Sequence, residues 1–215
     1  MQPKTISLDP SRVRTDIHPL AVSGFSYQSG LLTYENSLIY SAGNHLIVDP
    51  IDPTQNQYSL KGHDNAITCL CLSRDGSVAS GQLGSPGSKN YDSPVFIWKL
   101  SMAKPQGFFE GMKEGVKNLI FSKNGTLLAG VSHKDQLIIW DVKSQKQIFA
   151  KIFEFPINIL HFSNENLVVT VGKGIQDMCI TPLLTQNKPP IFTNFTLPST
   201  GLPRNYTSLV EVDNN

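Results

Sequence analysis

No stretch of this 215-residue sequence is apolar for anything near the roughly 20 residues that a membrane-crossing helix needs. The longest apolar runs, Val95 to Trp98 and Leu137 to Trp140, fall far short, so no membrane partner is expected. An excess of charge of one sign is missing too. Eighteen Lys and Arg against 17 Asp and Glu leave a formal charge of +1, which argues against nucleic acid as a partner. Cysteine is scarce: Cys69 and Cys71 would share one strand face, Cys179 stands apart, and no second pair completes a zinc cluster. They read as buried thiols in a reducing compartment. The opening MQPKTISLDPSRVR has no apolar stretch after its charges, so neither a signal peptide nor an anchor is expected and the reading is cytoplasmic. Helical periodicity is nearly absent as well, so helix content should be very low.

Catalytic patterns are equally thin. His63, Asp64 and Ser73 lie close in sequence, but Ser73 lacks the strand-to-helix elbow and oxyanion-hole signature of a nucleophile, so no enzyme is expected. His18, His45, His133 and His161 show no ligand spacing, which leaves no metal and no cofactor to expect. The Gly81 to Gly87 stretch has neither a following helix nor a Gly-Lys-Ser/Thr, so it reads as a surface loop and not a phosphate cradle. Asp49-Pro50 and Asp52-Pro53 are turn initiators.

What the sequence does contain is a repeat. GHDNAITCLCLSRDG from Gly62 lies over GMKEGVKNLIFSKNG from Gly111, with alternating apolar residues and an Asp-Gly or Asn-Gly hairpin turn. A second strand follows each turn (SVASGQL, TLLAGVSH), then a third ending in tryptophan (PVFIWKL, QLIIWDV), then a more polar fourth near 107–110 and 145–153. Another copy starts at Pro156 and loses its tryptophan; a divergent one precedes Gly62, with turn signals at Glu35-Asn36 and Gly43-Asn44. The expected organisation is an extension over 1–20, four-stranded units over 21–61, 62–110, 111–155 and 156–200, and a tail or further strand over 201–215.

Gly62-His63, the alternating strand, Asp75-Gly76, Ala79-Ser80-Gly81 and Ile97-Trp98, with Trp140-Asp141 in the next copy, resemble WD40 repeats. That resemblance implies an all-β propeller, here incomplete, because about four blades of ~40–45 residues do not close the usual ring. It also implies a locking network of His63, Ser80 and Trp98 in one blade and Asp135 and Trp140 in the next, where Met112 replaces the histidine. Neither blade carries the full set. The stretch from Val22 to Leu100, including Gly24-Phe25, Ile39 to Gly43 and Ala79-Ser80-Gly81-Gln82, is similar to the cilia- and flagella-associated WD-repeat proteins of the doublet-microtubule lumen. More distantly it resembles the echinoderm microtubule-associated-protein-like family.

Those resemblances imply a non-enzymatic scaffold of the cytoskeleton and ciliary or flagellar axoneme, binding tubulin, the doublet microtubule or neighbouring axonemal proteins. A second chain or a missing half would complete the ring. The alternative is a generic WD40 adaptor of another cytoplasmic or nuclear complex. A long loop supplies the candidate partner-binding residues Gln82, Ser85, Lys89, Asn90, Tyr91 and Asp92. A simple solvated loop would look the same. From Lys99 to Lys151, nine lysines face only Glu110, Glu114, Asp135 and Asp141, a local excess that would suit an acidic partner if the lysines cluster in space.

Overall fold

Alternating apolar residues punctuated by Gly and Asn turns dictate antiparallel hairpins. The computed structural model of the chain describes residues 29–85, 92–102, 104–163, 166–171, 174–179, 184–185 and 188–195. Over these residues the chain forms four sheets, each a four-stranded antiparallel meander in sequence order. The first holds β1 (Leu32–Tyr34), β2 (Ser37–Ala42), β3 (His45–Pro50) and β4 (Tyr58–Lys61). In the second lie β5 (Ile67–Leu72), β6 (Ser77–Gln82), β7 (Asp92–Lys99) and β8 (Gly107–Lys113). The third comprises β9 (Val116–Phe121), β10 (Leu127–Ser132), β11 (Gln136–Asp141) and β12 (Lys146–Ile152). The fourth comprises β13 (Ile157–Ser163), β14 (Asn166–Val171), β15 (Gly174–Cys179) and β16 (Ile191–Phe195). Helical backbone occurs only at 184–185 among the described residues. The expected extension over 1–20 and the tail over 201–215 lie outside them.

The hairpins close as their residues require. Gly76 and Gly125 sit at φ +80° and +72°, and the Asp75 and Asn124 carboxyl and amide oxygens accept from the N–H of Ser77 and Thr126. Burial is continuous along β6 and β10, whose every residue is buried, while the outer strand β12 is exposed or half-buried. A strand covered on both faces is the mark of a sheet sandwiched between two others.

Three apolar cores fill the gaps between successive sheets. Ile39, Leu46, Val48 and Leu60 meet Ile67, Val78 and Trp98 between the first and second. Ala79, Val95, Ile97 and Phe109 meet Val116, Leu128, Ile138 and Trp140 between the second and third. Ala129, Val131, Leu137 and Ile139 meet Ile157, Leu160, Phe162, Leu167 and Met178 between the third and fourth. No such core joins the fourth sheet back to the first among the described residues, so the sheets form an open arc of propeller blades.

A polar rail runs along the innermost strands. The first strand of each of the last three sheets carries a one-residue bulge, at Thr68, Lys117 and Asn158, where the register shifts. Thr68 Oγ1 donates to the carbonyl of Val116, the first residue of the next inner strand, at 2.5 Å. Lys117 Nζ repeats the step, donating to the Ile157 carbonyl at 2.7 Å. Asn158 occupies the same place in β13 and is exposed. Thr68→Val removes one link and leaves the Val116 carbonyl with only the Cys69 thiol, at 4.0 Å, as a side-chain donor among the described residues, so urea denaturation should show a loss of about 1–2 kcal/mol.

Candidate functional site

The second sheet is locked from inside. Val78, Ser80 and Gln82 share one face of β6, and Val78 pairs in register with Trp98 on β7, which brings Ser80 beside the indole. Trp98 Nε1 donates to Ser80 Oγ at 2.7 Å, and Ser80 Oγ lies 2.6 Å from His63 Nε2. His63 Nδ1 in turn sits 2.7 Å from Gln82 Oε1, and Gln82 Nε2 donates to Asp64 Oδ1. Only one assignment satisfies every atom. Gln82 Oε1 can only accept, so Nδ1 carries the proton, Nε2 accepts from the Ser80 hydroxyl, and that hydroxyl accepts from the indole. His63 is therefore a neutral imidazole. Burial is the main cause that lowers its pKa, to about 4, while the Gln82 bond and Asp64 pull weakly the other way. Phe96 packs edge-on against the ring at 4.7 Å. Gly62 must precede His63, because a Cβ there would stand 2.9 Å from Trp98.

Of the residues singled out from sequence, His63, Ser80 and Trp98 meet in this network; Asp135 and Trp140 do not meet each other. Asp135 reaches forward, accepting from Ile157 N–H at 2.9 Å and facing Lys117 Nζ at 3.7 Å at the junction with the fourth sheet. Trp140 is buried against Phe109, with ring centroids 5.2 Å apart. The register explains why no polar network forms around it. Leu128 pairs with Trp140 as Val78 does with Trp98, so Gly130 stands where Ser80 stands and Met112 stands where His63 stands. Met112 Cε occupies the space beside Gly130, 2.5 Å from where a Cβ would lie. Two polar residues have thus been exchanged together for an apolar pair. Met112→His alone buries an unpaired imidazole and should cost about 2–3 kcal/mol. Adding Gly130→Ser supplies the missing hydroxyl, and a double-mutant cycle should return a favourable coupling of at least about 0.5 kcal/mol.

Gln82, expected in the partner-binding loop after β6, instead has its side chain fully buried in the network. Ser85 is half-buried, and Asp92 is exposed and ion-paired with Lys113. Lys89, Asn90 and Tyr91 lie outside the described residues. Ser93 Oγ, at the return of the loop, is buried with no hydrogen-bond partner among the described residues. Asp64 joins the network with no signal in the sequence to announce it. No cluster of His, Cys, Asp and Glu among the described residues could hold a metal ion. Cys69 and Cys71 do lie on one strand, their thiols raised by burial, Cys69 to about 12.

Lysines divide between the two ends of the arc. At the end carrying the β6–β7 and β10–β11 loops, Lys113, Lys117 and Lys134 pair with Asp92, Asp135 and Glu114. At the hairpin end, Lys99 Nζ lies 2.9 Å from Asp75. Burial would raise the Asp75 carboxyl, but Lys99 together with Ser77 and Ser73 outweighs it and holds the group at about 2.

A family model described as "WD domain, G-beta repeat" matches residues 54–88 and 103–141. Cilia- and flagella-associated protein 52 of Chlamydomonas reinhardtii is 30% identical over 131 residues, covering 58% of this chain and 21% of that protein. Its namesake in Macaca fascicularis is 28% identical over 168 residues, covering 72% of this chain and 28% of that protein. The chain therefore spans less than a third of the length of these relatives. The crystal structure of the RRP9 WD40 repeats superposes with a TM-score of 0.64 at 18% identity, over 82% of this chain and 52% of that one, a likeness of fold.

Proposed function

From the premise that this chain is built of WD40 repeats packed as an open arc of blades, we propose that it is a non-enzymatic scaffold of the ciliary or flagellar axoneme. Its role is to hold tubulin or neighbouring axonemal proteins against blade ends. The observation that carries this reading is the likeness to cilia- and flagella-associated protein 52 across more than half of the chain. The locked interior supports it: Ser80, whose hydroxyl donates to His63 Nε2, is fully buried beside Trp98, where no substrate reaches it.

The arc carries its own cue for further partners. The rail of inner-strand donors ends on exposed Asn158, at the position from which Thr68 and Lys117 each reach the next sheet. A fifth sheet, from a second polypeptide or from the missing half of a ring, fits there and continues the arc beyond the fourth. Microtubule co-sedimentation at low salt tests the tubulin contact: the chain pellets with polymer under this reading, and background pelleting argues for an adaptor in another complex. Sedimentation velocity tests completion, since a stable monodisperse monomer contradicts a requirement for added blades.

A further inference from the structure

We infer that the cleft between the second and third sheets, at their hairpin end, is a docking groove for an acidic, extended protein segment. This rests on the scaffold reading and names the chemistry of one of its contacts. The cleft has a volume of about 550 Å³ and is walled by Lys99 and Gln106 on one side and Lys143 and Gln145 on the other, with Met102 and Val142 among its apolar residues.

Charge separates the two ends of the same two sheets. At the opposite end three lysines are each met by a carboxylate. Lys99 in the cleft wall is likewise met by a carboxylate, that of Asp75, which also lines the cleft, but Lys143 beside it is exposed, as are Arg74, Lys104 and Lys146, each within two residues in sequence of a lining residue. Asp75 is held by Lys99 and Ser77, and Asp141 accepts from Ser144 N–H at 2.7 Å. Among the described residues at this end, the basic side chains Arg74, Lys99, Lys104, Lys143 and Lys146 thus outnumber the carboxylates Asp75 and Asp141.

The walls suit a peptide. Among the described residues Gln106 Nε2 donates to the Met102 sulfur at 3.8 Å, a weak bond that a partner's carbonyl can replace. Gln145, at a positive φ of 56°, lays its amide over Gly107, where the two walls meet. Met102, 51% exposed, offers an apolar contact for an aliphatic stem. Among the described residues no aromatic ring lines the cleft and offers the stacking platform that single-stranded nucleic acid uses, and the lysines select for carboxylates presented on a polypeptide.

Fluorescence anisotropy with a labelled glutamate-rich peptide tests the groove on the full chain, independently of where the protein resides in a cell. Binding is expected at low salt and should weaken as salt screens it. Charge reversal at two exposed rim positions, Lys104→Glu with Lys143→Glu, should weaken binding about tenfold, whereas Lys113→Glu with Lys134→Glu at the other end should leave it unchanged. The matching glutamine-rich peptide should not bind. Circular dichroism confirms that both variants fold. Absence of binding, equal loss from either pair of reversals, or tighter binding of an oligonucleotide of equal length would each overturn the inference. Peptide binding without microtubule pelleting would leave the groove standing and remove the tubulin contact.

Discussion

Trp98→Ala should lower the unfolding free energy by about 3–5 kcal/mol, a large share of the roughly 5–15 kcal/mol that holds a typical domain together. The indole is fully buried at the seam of the first and second sheets, so its removal opens a cavity there. It also strips the Ser80 hydroxyl of a donor and removes the surface on which Gly62 rests. Trp98→Phe separates the two contributions: most of the packing remains, only the N–H is lost, and the cost should drop to about 1–2 kcal/mol. Urea denaturation followed by circular dichroism reads both. Equal losses from the two substitutions would mean that the hydrogen bond, and not the volume, dominates the seam.

Acid should destabilise the chain through His63. Its folded pKa of about 4 lies below the ordinary 6.5, so the unfolded chain takes up a proton first as pH falls. The stability is complete above pH 6.5 and is lost progressively down to pH 4, by ~3 kcal/mol in all. Protonation would place a second N–H against the Ser80 hydroxyl, whose own proton would lose its acceptor. The double variant His63→Met with Ser80→Gly copies the pair that the third sheet uses at Met112 and Gly130. Its unfolding free energy should be nearly flat between pH 6.5 and 4.5 compared with the native chain. An unchanged slope in the double variant would assign the acid sensitivity to other groups.

Much of this architecture is legible in local chemistry. Asp75-Gly76 and Asn124-Gly125 announce their hairpins because few other pairs tolerate that backbone, and Trp98 and Trp140 mark equivalent registers on β7 and β11. The sites were less legible. Gln82 reads as a loop residue by its polarity, yet it keeps the two-residue phase of Val78 and Ser80, and that phase places it inside with Trp98. Asp64 gives no signal of its own, since its partner is set by the turn that carries His63. The exchange of His and Ser for Met112 and Gly130 shows only once the strands are paired, because it couples residues on different strands. Ion pairing of the lysines likewise depends on which end of a sheet each one occupies.

The reading as an axonemal scaffold is tested most directly by the chain's neighbours in place. Cross-linking and mass spectrometry on isolated, detergent-extracted axonemes should recover the chain joined to tubulin or to other axonemal proteins, with links from the lysines of the hairpin end such as Lys104, Lys143 and Lys146. Recovery of the chain only in the soluble fraction, linked to proteins of another complex, would contradict the account.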